Sequence, residues 1–103
     1  MAVRVQEAAS LRLDVIYRCT RERRGVEQAD RYITALFAAF DKIEVHGVAS
    51  RPIPAEFAID GFYFRHEHHF VYLRRLSNGD IGIVTILHER MHQMDRFRDD
   101  LPD

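Results

Sequence analysis

The residues best suited to chemistry lie in one short stretch of this 103-residue chain, where His66, Glu67, His68 and His69 follow one another. Two imidazoles separated by one residue on a strand share a face, and His88 could add a third metal ligand from a neighbouring strand. A turn at Glu67 and His68 would point the rings in different directions, and no cysteine or second acidic ligand is patterned around them. We therefore interpret the stretch as a polar turn and expect neither a metal ion nor a cofactor.

A second arrangement of the same region would be a general acid–base site that cleaves RNA. Its members would be Arg65, Glu67, His88 and Arg90. They could converge if the turn after the first strand lies beside the end of the last one. Charged residues at strand ends more often form a solvated rim, so we keep this site as an alternative.

Three predicted strands position these residues as an antiparallel meander between Asp60 and Met91. The strands are rich in aromatic and β-branched residues, and they cover Phe62–His66, His69–Leu73 and Ile81–Leu87. The last two strands flank Asn78 and Gly79. Asn-Gly can hold positive φ at both central positions of a tight hairpin turn, so this pair predicts a hairpin.

A first helix is predicted from about Glu7 to Arg24, with Gly25 as its C-terminal cap. One apolar stripe at helical spacing predicts the face towards the sheet, and it consists of Ala8, Leu11, Val15 and Cys19. Leu13 and Tyr17 lie on another side of the helix, where they would meet a neighbouring helix or a partner.

The second helix is predicted from about Val26 to Val45, because its apolar residues recur at three- and four-residue intervals. It follows the first helix so closely that the two must form an antiparallel hairpin. A short strand is predicted over Ala2–Gln6, a loop over Ser50–Pro54, and a C-terminal helix around Met91–Leu101. The fold class is therefore α+β, with the order β-α-α-β-β-β-α and a helical hairpin packed on a small, mainly antiparallel sheet.

Composition sets limits on function. At 103 residues we expect one domain spanning 1–103. The net charge is −1, which argues against nonspecific attachment to nucleic acid, although every basic residue except Lys42 is an arginine. Cys19 is the single cysteine, so no internal disulfide forms, and we expect it to be buried. No apolar stretch reaches the length of a membrane span, and we expect a cytoplasmic protein.

The order of elements resembles the RelE/ParE superfamily of small toxins from type II toxin–antitoxin pairs. Two segments, Glu67–Val71 and Ile86–Met91, resemble the corresponding segments of ParE toxins, including those of plasmid-stabilising systems. Arg31–Ile33, Tyr17 and the pair at 20–21 also fit the ParE branch. The resemblance extends over almost the whole chain.

The resemblance implies a toxin that is not an enzyme. ParE-like proteins poison DNA gyrase and block replication, and they are neutralised by a ParD-like antitoxin. The antitoxin also binds operator DNA, so the toxin would reach that DNA only indirectly, as part of a hetero-oligomer. The alternative is the RelE branch, whose members are cationic, ribosome-dependent mRNA endonucleases; here the net charge of −1 disagrees.

Two surfaces follow as hypotheses. The predicted antitoxin contacts are Leu13, Tyr17, Tyr32 and Leu36. For Tyr32 and Leu36, a place in the hydrophobic core is at least as good an interpretation. The predicted gyrase contacts are the polar residues of the C-terminal segment, namely Arg90, His92, Arg96 and Arg98.

Overall fold

The computed structural model describes residues 3–45, 50–57 and 60–101. Its elements, numbered in chain order, are β1 (Val3–Val5), α1 (Glu7–Arg24), α2 (Val26–Val45), β2 (Arg51–Pro52), a 3-10 turn (Ala55–Phe57), β3 (Phe62–His66), β4 (His69–Arg75), β5 (Ile81–His88) and α3 (Gln93–Asp100). The predicted α+β fold is confirmed, as are both long helices and the meander. The predicted bounds of α2, about Val26 to Val45, agree with the structure; the sequence also predicts that residues 46–47 end this helix, and these two lie outside the described residues.

A five-stranded sheet has the order β1-β5-β4-β3-β2. The meander strands pair antiparallel, whereas β1 runs parallel to β5, with Val3 opposite Ile81 and Val5 opposite Ile83. The chain must therefore cross from β1 at one edge, through the helical hairpin and β2 at the other edge, before it returns to the centre. That crossing places α1 and α2 on one face of the sheet.

One strand was missed by the sequence analysis. Arg51 and Pro52 form the short edge strand β2, opposite Tyr63 and Phe62, where a loop was predicted. The prolines argued against a strand, but an edge position needs no donor on its outer side, and proline is tolerated there. The N–H of Ile53 continues the pairing by donating to the Gly61 carbonyl at 3.0 Å.

The β4–β5 hairpin is confirmed, but its turn differs from the predicted one. Gly79 has φ +88°, while Asn78 does not have positive φ. The Gly79 N–H donates to the Leu76 carbonyl, and the Leu76 N–H donates to the Asp80 carbonyl. The connection is therefore a three-residue loop with glycine in the left-handed position, which produces the twist that flanking strands need.

The buried face of α1 is not the predicted one. Ala9, Leu13 and Ile16 are buried, whereas Leu11 is 59% exposed and Val15 is 41% exposed. Cys19, which was predicted to be buried, is also exposed. Because apolar residues occur on both sides of α1, the helical period alone could not select the side that faces the sheet. The packing of Leu13 against the sheet and α2 determines which side of α1 is buried.

Two hydrophobic clusters hold the layers together, one on each face of the sheet. The first joins α1 and α2 to the sheet through residues that include Leu13, Leu36, Phe40, Val71 and Ile86. The second joins the other face to α3 and the segment before β3, and it includes Phe57, Tyr72, Val84, Leu87 and Phe97. No helix in the described ranges has the length and hydropathy of a membrane span.

A polar clasp fixes the end of α3. The Asp100 carboxylate accepts hydrogen bonds from Thr85 Oγ1 at 2.7 Å and from Arg12 Nε at 2.9 Å. Thr85 is fully buried, and both charged side chains are largely covered. The clasp therefore ties the last helix to β5 and α1 at once.

We expect Asp100→Ala to lower the free energy of unfolding by about 2–3 kcal/mol, because it leaves a buried hydroxyl and a partly buried guanidinium without their acceptor. The measurement is urea denaturation followed by circular dichroism. Asp99→Ala is the matched control, since Asp99 is the exposed neighbour, and it should change stability by no more than about 0.5 kcal/mol. Equal effects of the two substitutions would show that the clasp contributes nothing.

Candidate functional site

A cleft of about 590 Å³ opens where the end of α1 and the start of α2 meet the β3–β4 turn and the end of β5. Its walls carry basic, imidazole and apolar side chains. Those used below are Arg12, Val15, Cys19, Arg23, Arg24, Tyr32, Glu67, His68, His69, His88, Arg90 and Met91. We call this the cationic cleft.

The β3–β4 turn is held in place by a contact between α2 and the sheet. Tyr32 Oη lies 2.6 Å from His69 Nδ1 and donates to the His66 carbonyl at 3.3 Å. Burial raises the pKa of Tyr32 to about 12, assisted by the negative charge of Glu67. Burial also lowers the pKa of His69 to about 4, assisted by repulsion from His88. At neutral pH both groups are therefore uncharged, and their contact is a positioning contact.

Glu89 organises the outer side of the turn. Its carboxylate pairs with the Arg65 guanidinium and accepts a hydrogen bond from His68 Nδ1 at 3.1 Å. The His68 hydrogen bond and the Arg65 charge together lower the pKa of Glu89, although partial burial opposes them. Arg65 Nε also donates to the Glu67 carbonyl at 2.8 Å. The Arg65 side chain is thus bound to the turn and to the Glu89 carboxylate.

The alternative acid–base set is only partly assembled. Glu67, His88 and Arg90 line the cationic cleft, but Arg65 is paired with Glu89. His88 Nδ1 accepts a hydrogen bond from the backbone N–H of Arg90 at 3.1 Å, so in the neutral ring Nε2 carries the proton. The Glu67 carboxylate stays largely exposed, 4.0 Å from His66 Nε2.

The charge of the cleft comes from arginines that have no acid to pair with. The side chains of Arg23, Arg24 and Arg90 make no hydrogen bond or ion pair within the part of the chain that the structure describes. Arg12 is bound to Asp100. Glu67 is the one acidic residue among the described lining residues. The cleft is therefore suited to anionic groups, even though the chain carries a net charge of −1.

Among the described residues, no group of three or more metal-ligating side chains is arranged to hold an ion. The rings of His68 and His88 stack with their centroids 6.3 Å apart, and His69 meets His88 edge to face. Because His69 already contacts Tyr32, the imidazoles pack against one another rather than converging on a common point.

The four predicted antitoxin contacts do not share one surface. Leu36 is fully buried, in the core position that the sequence analysis held to be at least as good an interpretation, and Leu13 is only 8% exposed, so neither side chain offers a partner more than a small surface. Both side chains are required between the helices and the sheet. Tyr32 belongs to the cationic cleft. Tyr17 lies on the opposite side of α1 and donates to Asp30 Oδ1 at 2.7 Å, a hydrogen bond that raises the pKa of Tyr17.

Tyr17 lines a second concavity, a groove of about 480 Å³ between α1 and α2. The groove includes Arg18, Arg21 and Phe37, and the Phe37 side chain is 46% exposed. We call it the hairpin groove. Leu13 also lines this groove, so two of the four predicted antitoxin contacts, Leu13 and Tyr17, adjoin it.

All four predicted gyrase contacts are exposed. Arg90 lies in the turn after β5 and borders the cationic cleft. His92 precedes α3 and pairs with Asp95 at 3.1 Å. Arg96 and Arg98 project from α3, which Phe97 anchors in the second cluster. The set therefore spans two neighbouring surfaces.

The sequence analysis missed the roles of Glu89, Arg12, Arg23 and Arg24. Glu89 directly follows β5, so its position beside the β3–β4 turn could have been read from the antiparallel pairing of the meander. The arginines of α1 carried no comparable signal. Their placement depends on which side of the helix faces the sheet.

The buried, neutral His69 makes stability depend on pH. In the unfolded chain its pKa is near 6.5, so between pH 6.5 and 4 the unfolded state binds more protons than the folded state. The folded protein should lose stability as pH falls through this window. Allowing for solvent screening, we expect a loss of about 1–2 kcal/mol at about pH 4.5 relative to about pH 7.5.

The measurement compares urea denaturation of the native chain and His69→Gln at the two pH values. Glutamine can keep a hydrogen bond to the Tyr32 hydroxyl but does not titrate, so the variant should lose less stability on acidification. An identical loss of stability in the two proteins would contradict the assignment of this pH dependence to His69.

Known proteins share this chain's sequence and fold. The family model described as ParE toxin of type II toxin-antitoxin system, parDE, matches residues 3–93. Toxin ParE1 of Mycobacterium tuberculosis, in both the CDC 1551 / Oshkosh and the H37Rv strains, is 31% identical over 84 residues, covering 82% of this chain and 85% of that toxin.

The fold also resembles a solved structure of the chromosomal ParDE TA system from P. aeruginosa. The TM-score is 0.71 at 19% identity, and the match covers 85% of this chain and 95% of that one. At this identity the likeness concerns the fold alone. The family model and the curated relative extend over most of the sequence, and together they identify the chain as a member of the ParE toxin family of type II toxin–antitoxin systems.

Proposed function

We propose that the protein poisons DNA gyrase, blocks replication and is neutralised by a ParD-like antitoxin in a hetero-oligomer. It acts as a protein inhibitor rather than as an enzyme. Operator DNA is reached only through the antitoxin, and the site of action is the cytoplasm, where gyrase works. Membership of the ParE family supports this proposal. The arrangement of charged side chains at the end of the sheet supports the part of it that concerns a non-enzymatic toxin.

The single observation that carries the non-enzymatic proposal is the network of Arg65, Glu89 and His68. A site that cleaves RNA needs a free cation for the phosphate and groups that exchange protons near neutral pH. Within the alternative set Arg65 is paired with Glu89, so Arg90 is the cation of that set left to meet a phosphate, and burial keeps the pKa of His69 at about 4. The two imidazoles beside His88 are already engaged, His68 by Glu89 and His69 by Tyr32.

The hairpin groove is the proposed antitoxin surface. Tyr17 and Phe37 offer partly exposed aromatic surface, while Arg18 and Arg21 border them with positive charge. Aromatic and arginine side chains are the residues most often responsible for affinity at protein interfaces. Leu13 and Leu36 contribute indirectly, because their burial sets the spacing of the two helices.

The C-terminal segment is the proposed gyrase surface. His92, Arg96 and Arg98 are exposed on or beside α3, and Arg90 adjoins them. Phe97 and the Asp100 clasp attach α3 firmly to the sheet, so these cations are presented from a rigid element. Deleting the segment would remove a core phenylalanine, and substitutions therefore test the surface better than truncation does.

The deciding experiment measures two activities of the purified protein in parallel. We expect inhibition of gyrase-catalysed supercoiling with accumulation of cleaved plasmid, and no cleavage of messenger RNA on translating ribosomes. The RelE-like alternative predicts the reverse pattern. Cleaved messenger RNA together with unimpaired supercoiling would therefore refute the proposal.

The double substitution Arg96→Glu with Arg98→Glu should raise the concentration needed for half-inhibition of supercoiling at least about tenfold, because two cations of the contact become anions. Growth inhibition in cells should be lost with it. The matched control is Arg74→Glu with Arg75→Glu, which makes the same charge change on β4, away from α3. If both variants lose activity equally, net charge rather than this surface is responsible.

A further inference from the structure

We propose that His88 makes the turn between β5 and α3, residues 89–92, respond to protons. In the neutral ring Nδ1 accepts the backbone N–H of Arg90, and protonation of that nitrogen removes the acceptor and releases the turn. We call this the His88 switch. Where it concerns gyrase it rests on the proposed function, because Arg90 belongs to the proposed gyrase surface. The switch gives that surface a response to acid.

The hydrogen bond from Arg90 to His88 has the pattern of an Asx-turn. In that turn an asparagine or aspartate side chain accepts the N–H of the residue two positions later, which stabilises a local reversal of the chain. His88 Nδ1 does the same for Arg90 at 3.1 Å. An asparagine oxygen remains an acceptor at every pH, whereas an imidazole Nδ1 becomes a donor once the ring is charged. Histidine therefore makes this turn conditional on pH.

The other backbone hydrogen bonds of the turn hold its two ends in place. The Glu89 N–H donates to the His68 carbonyl at 2.8 Å, and the Met91 N–H donates to the His88 carbonyl at 3.0 Å. Gln93 Nε2 donates to the same His88 carbonyl at 2.8 Å. These acceptors are backbone carbonyls, which do not titrate. Protonation of His88 thus releases the Arg90 peptide while β5 and α3 stay attached.

Other imidazoles surround the His88 ring. It stacks on His68 with the ring centroids 6.3 Å apart, and it meets His69 edge to face at 5.1 Å. Burial lowers the pKa of His69 to about 4, so this ring stays neutral when the cell interior is near neutral pH. His68 Nδ1 lies 3.1 Å from the Glu89 carboxylate. His88 and His68 are therefore the two rings beside the turn whose charge must be distinguished.

Charged groups of both signs also face His88. Glu67 of the β3–β4 turn and Glu89 of its own turn attract a proton on the ring, although Glu89 is paired with Arg65 of β3. Burial raises the pKa of Tyr32 to about 12, so α2 brings no charge through this side chain. The titratable thiol on the cleft wall is that of Cys19. The guanidinium groups of the cleft repel a proton on the ring, and they belong to Arg12, Arg23, Arg24 and Arg90.

Release of the Arg90 peptide affects the proposed gyrase surface. The Arg90 side chain makes no hydrogen bond or ion pair among residues 3–45, 50–57 and 60–101, so its direction depends on the turn backbone. A partner that binds Arg90 on a released turn must also order that turn, which weakens binding. Acid should therefore weaken any contact that gyrase makes with Arg90.

Nuclear magnetic resonance of the full-length, 15N-labelled protein tests the switch. Spectra recorded between about pH 8 and about pH 5.5 follow the His88 ring nitrogens and the Arg90 backbone N–H, because imidazoles titrate in this range. We expect the Arg90 signal to shift with the same midpoint as the His88 ring. Exchange of the Arg90 N–H with solvent, corrected for the intrinsic effect of pH, should become at least about threefold faster on acidification.

Two asparagine variants assign the effect to one ring. His88→Asn keeps an acceptor for the Arg90 N–H and removes the titration, because the asparagine oxygen can form the Asx-turn. The Arg90 signal should then stay constant with pH. His68→Asn is the matched control, since His68 is the stacked neighbour that does not contact the Arg90 N–H. In this variant the Arg90 signal should still follow the His88 ring.

Three results would overturn the switch. The first is a His88 ring that stays neutral down to about pH 5.5. The second is a ring that titrates without any response of the Arg90 N–H. The third is a response that persists in His88→Asn and disappears in His68→Asn, which would assign it to the other imidazole.

The supercoiling assay separates the switch from the proposed function. Relative to His88→Asn at the same pH, the native protein should need at least about threefold more for half-inhibition at about pH 6.5 than at about pH 8. Equal pH responses of the two proteins would overturn the regulatory role. If neither protein inhibits supercoiling at any pH while the Arg90 signal follows His88, the gyrase proposal fails and the switch stands.

Discussion

The fold depends on the burial of β5 from both sides. Ile83 and Ile86 pack towards the helical hairpin, while Val84 and Leu87 pack towards α3, and all four are almost completely buried. A chain of this length can form only a small hydrophobic core. Covering β5 on both faces is therefore its main source of hydrophobic stabilisation. The strand also joins β1 to β4. Every other element except the edge strand β2 is attached to it directly or through one neighbour.

This constraint determines where variable surface can exist. With both faces of the sheet covered, exposed side chains lie mainly on the outer sides of the helices, on the edge strands, in the loops and at the ends of the strands. The end of β5 delivers His88, Glu89 and Arg90 beside the β3–β4 turn, and the Glu89 N–H donates to the His68 carbonyl at 2.8 Å to fix the two together. The cationic cleft therefore forms where the end of β5 and the β3–β4 turn meet the helical hairpin. Its residues are held by backbone pairing, which makes the site rigid without requiring a loop of its own.

The sequence was sufficient for elements with a single strong signal. The Phe-rich period of α2, the β-branched run of β5 and the hairpin signal of Asn78-Gly79 each allowed one interpretation, and all three elements are confirmed, although the hairpin turn is a three-residue loop rather than the predicted one. It was insufficient where two patterns competed. In α1, Leu11 and Leu13 belong to different apolar sides, and only contact with the sheet shows that Leu13 is the inner one. At β2, Pro52 locally indicated a loop. The strand forms because Arg51 pairs with Tyr63, a residue distant in sequence.

The same limit applies to the candidate site. The sequence shows which charged residues are present. Their ion pairs and hydrogen bonds in the folded chain determine which of these side chains are available to bind a partner. Arg65 and Arg90 look equivalent in the sequence, yet one is neutralised by Glu89 and the other is not. Likewise His69 is distinguished from His68 by burial against Tyr32, which no spacing rule predicts.

The charge distribution explains how a nearly neutral chain can still recognise charged partners. With a net charge of −1 the protein has little long-range attraction for nucleic acid, and at physiological salt such attraction is screened within about 8 Å. Recognition must then come from short-range contacts, for which the planar guanidinium is better suited than the single ammonium of Lys42. Unpaired arginines beside exposed aliphatic side chains form a surface on which charge pairing and apolar burial can act together. A partner that supplied both acidic groups and apolar surface would be bound more tightly than a polyanion that supplied charge alone.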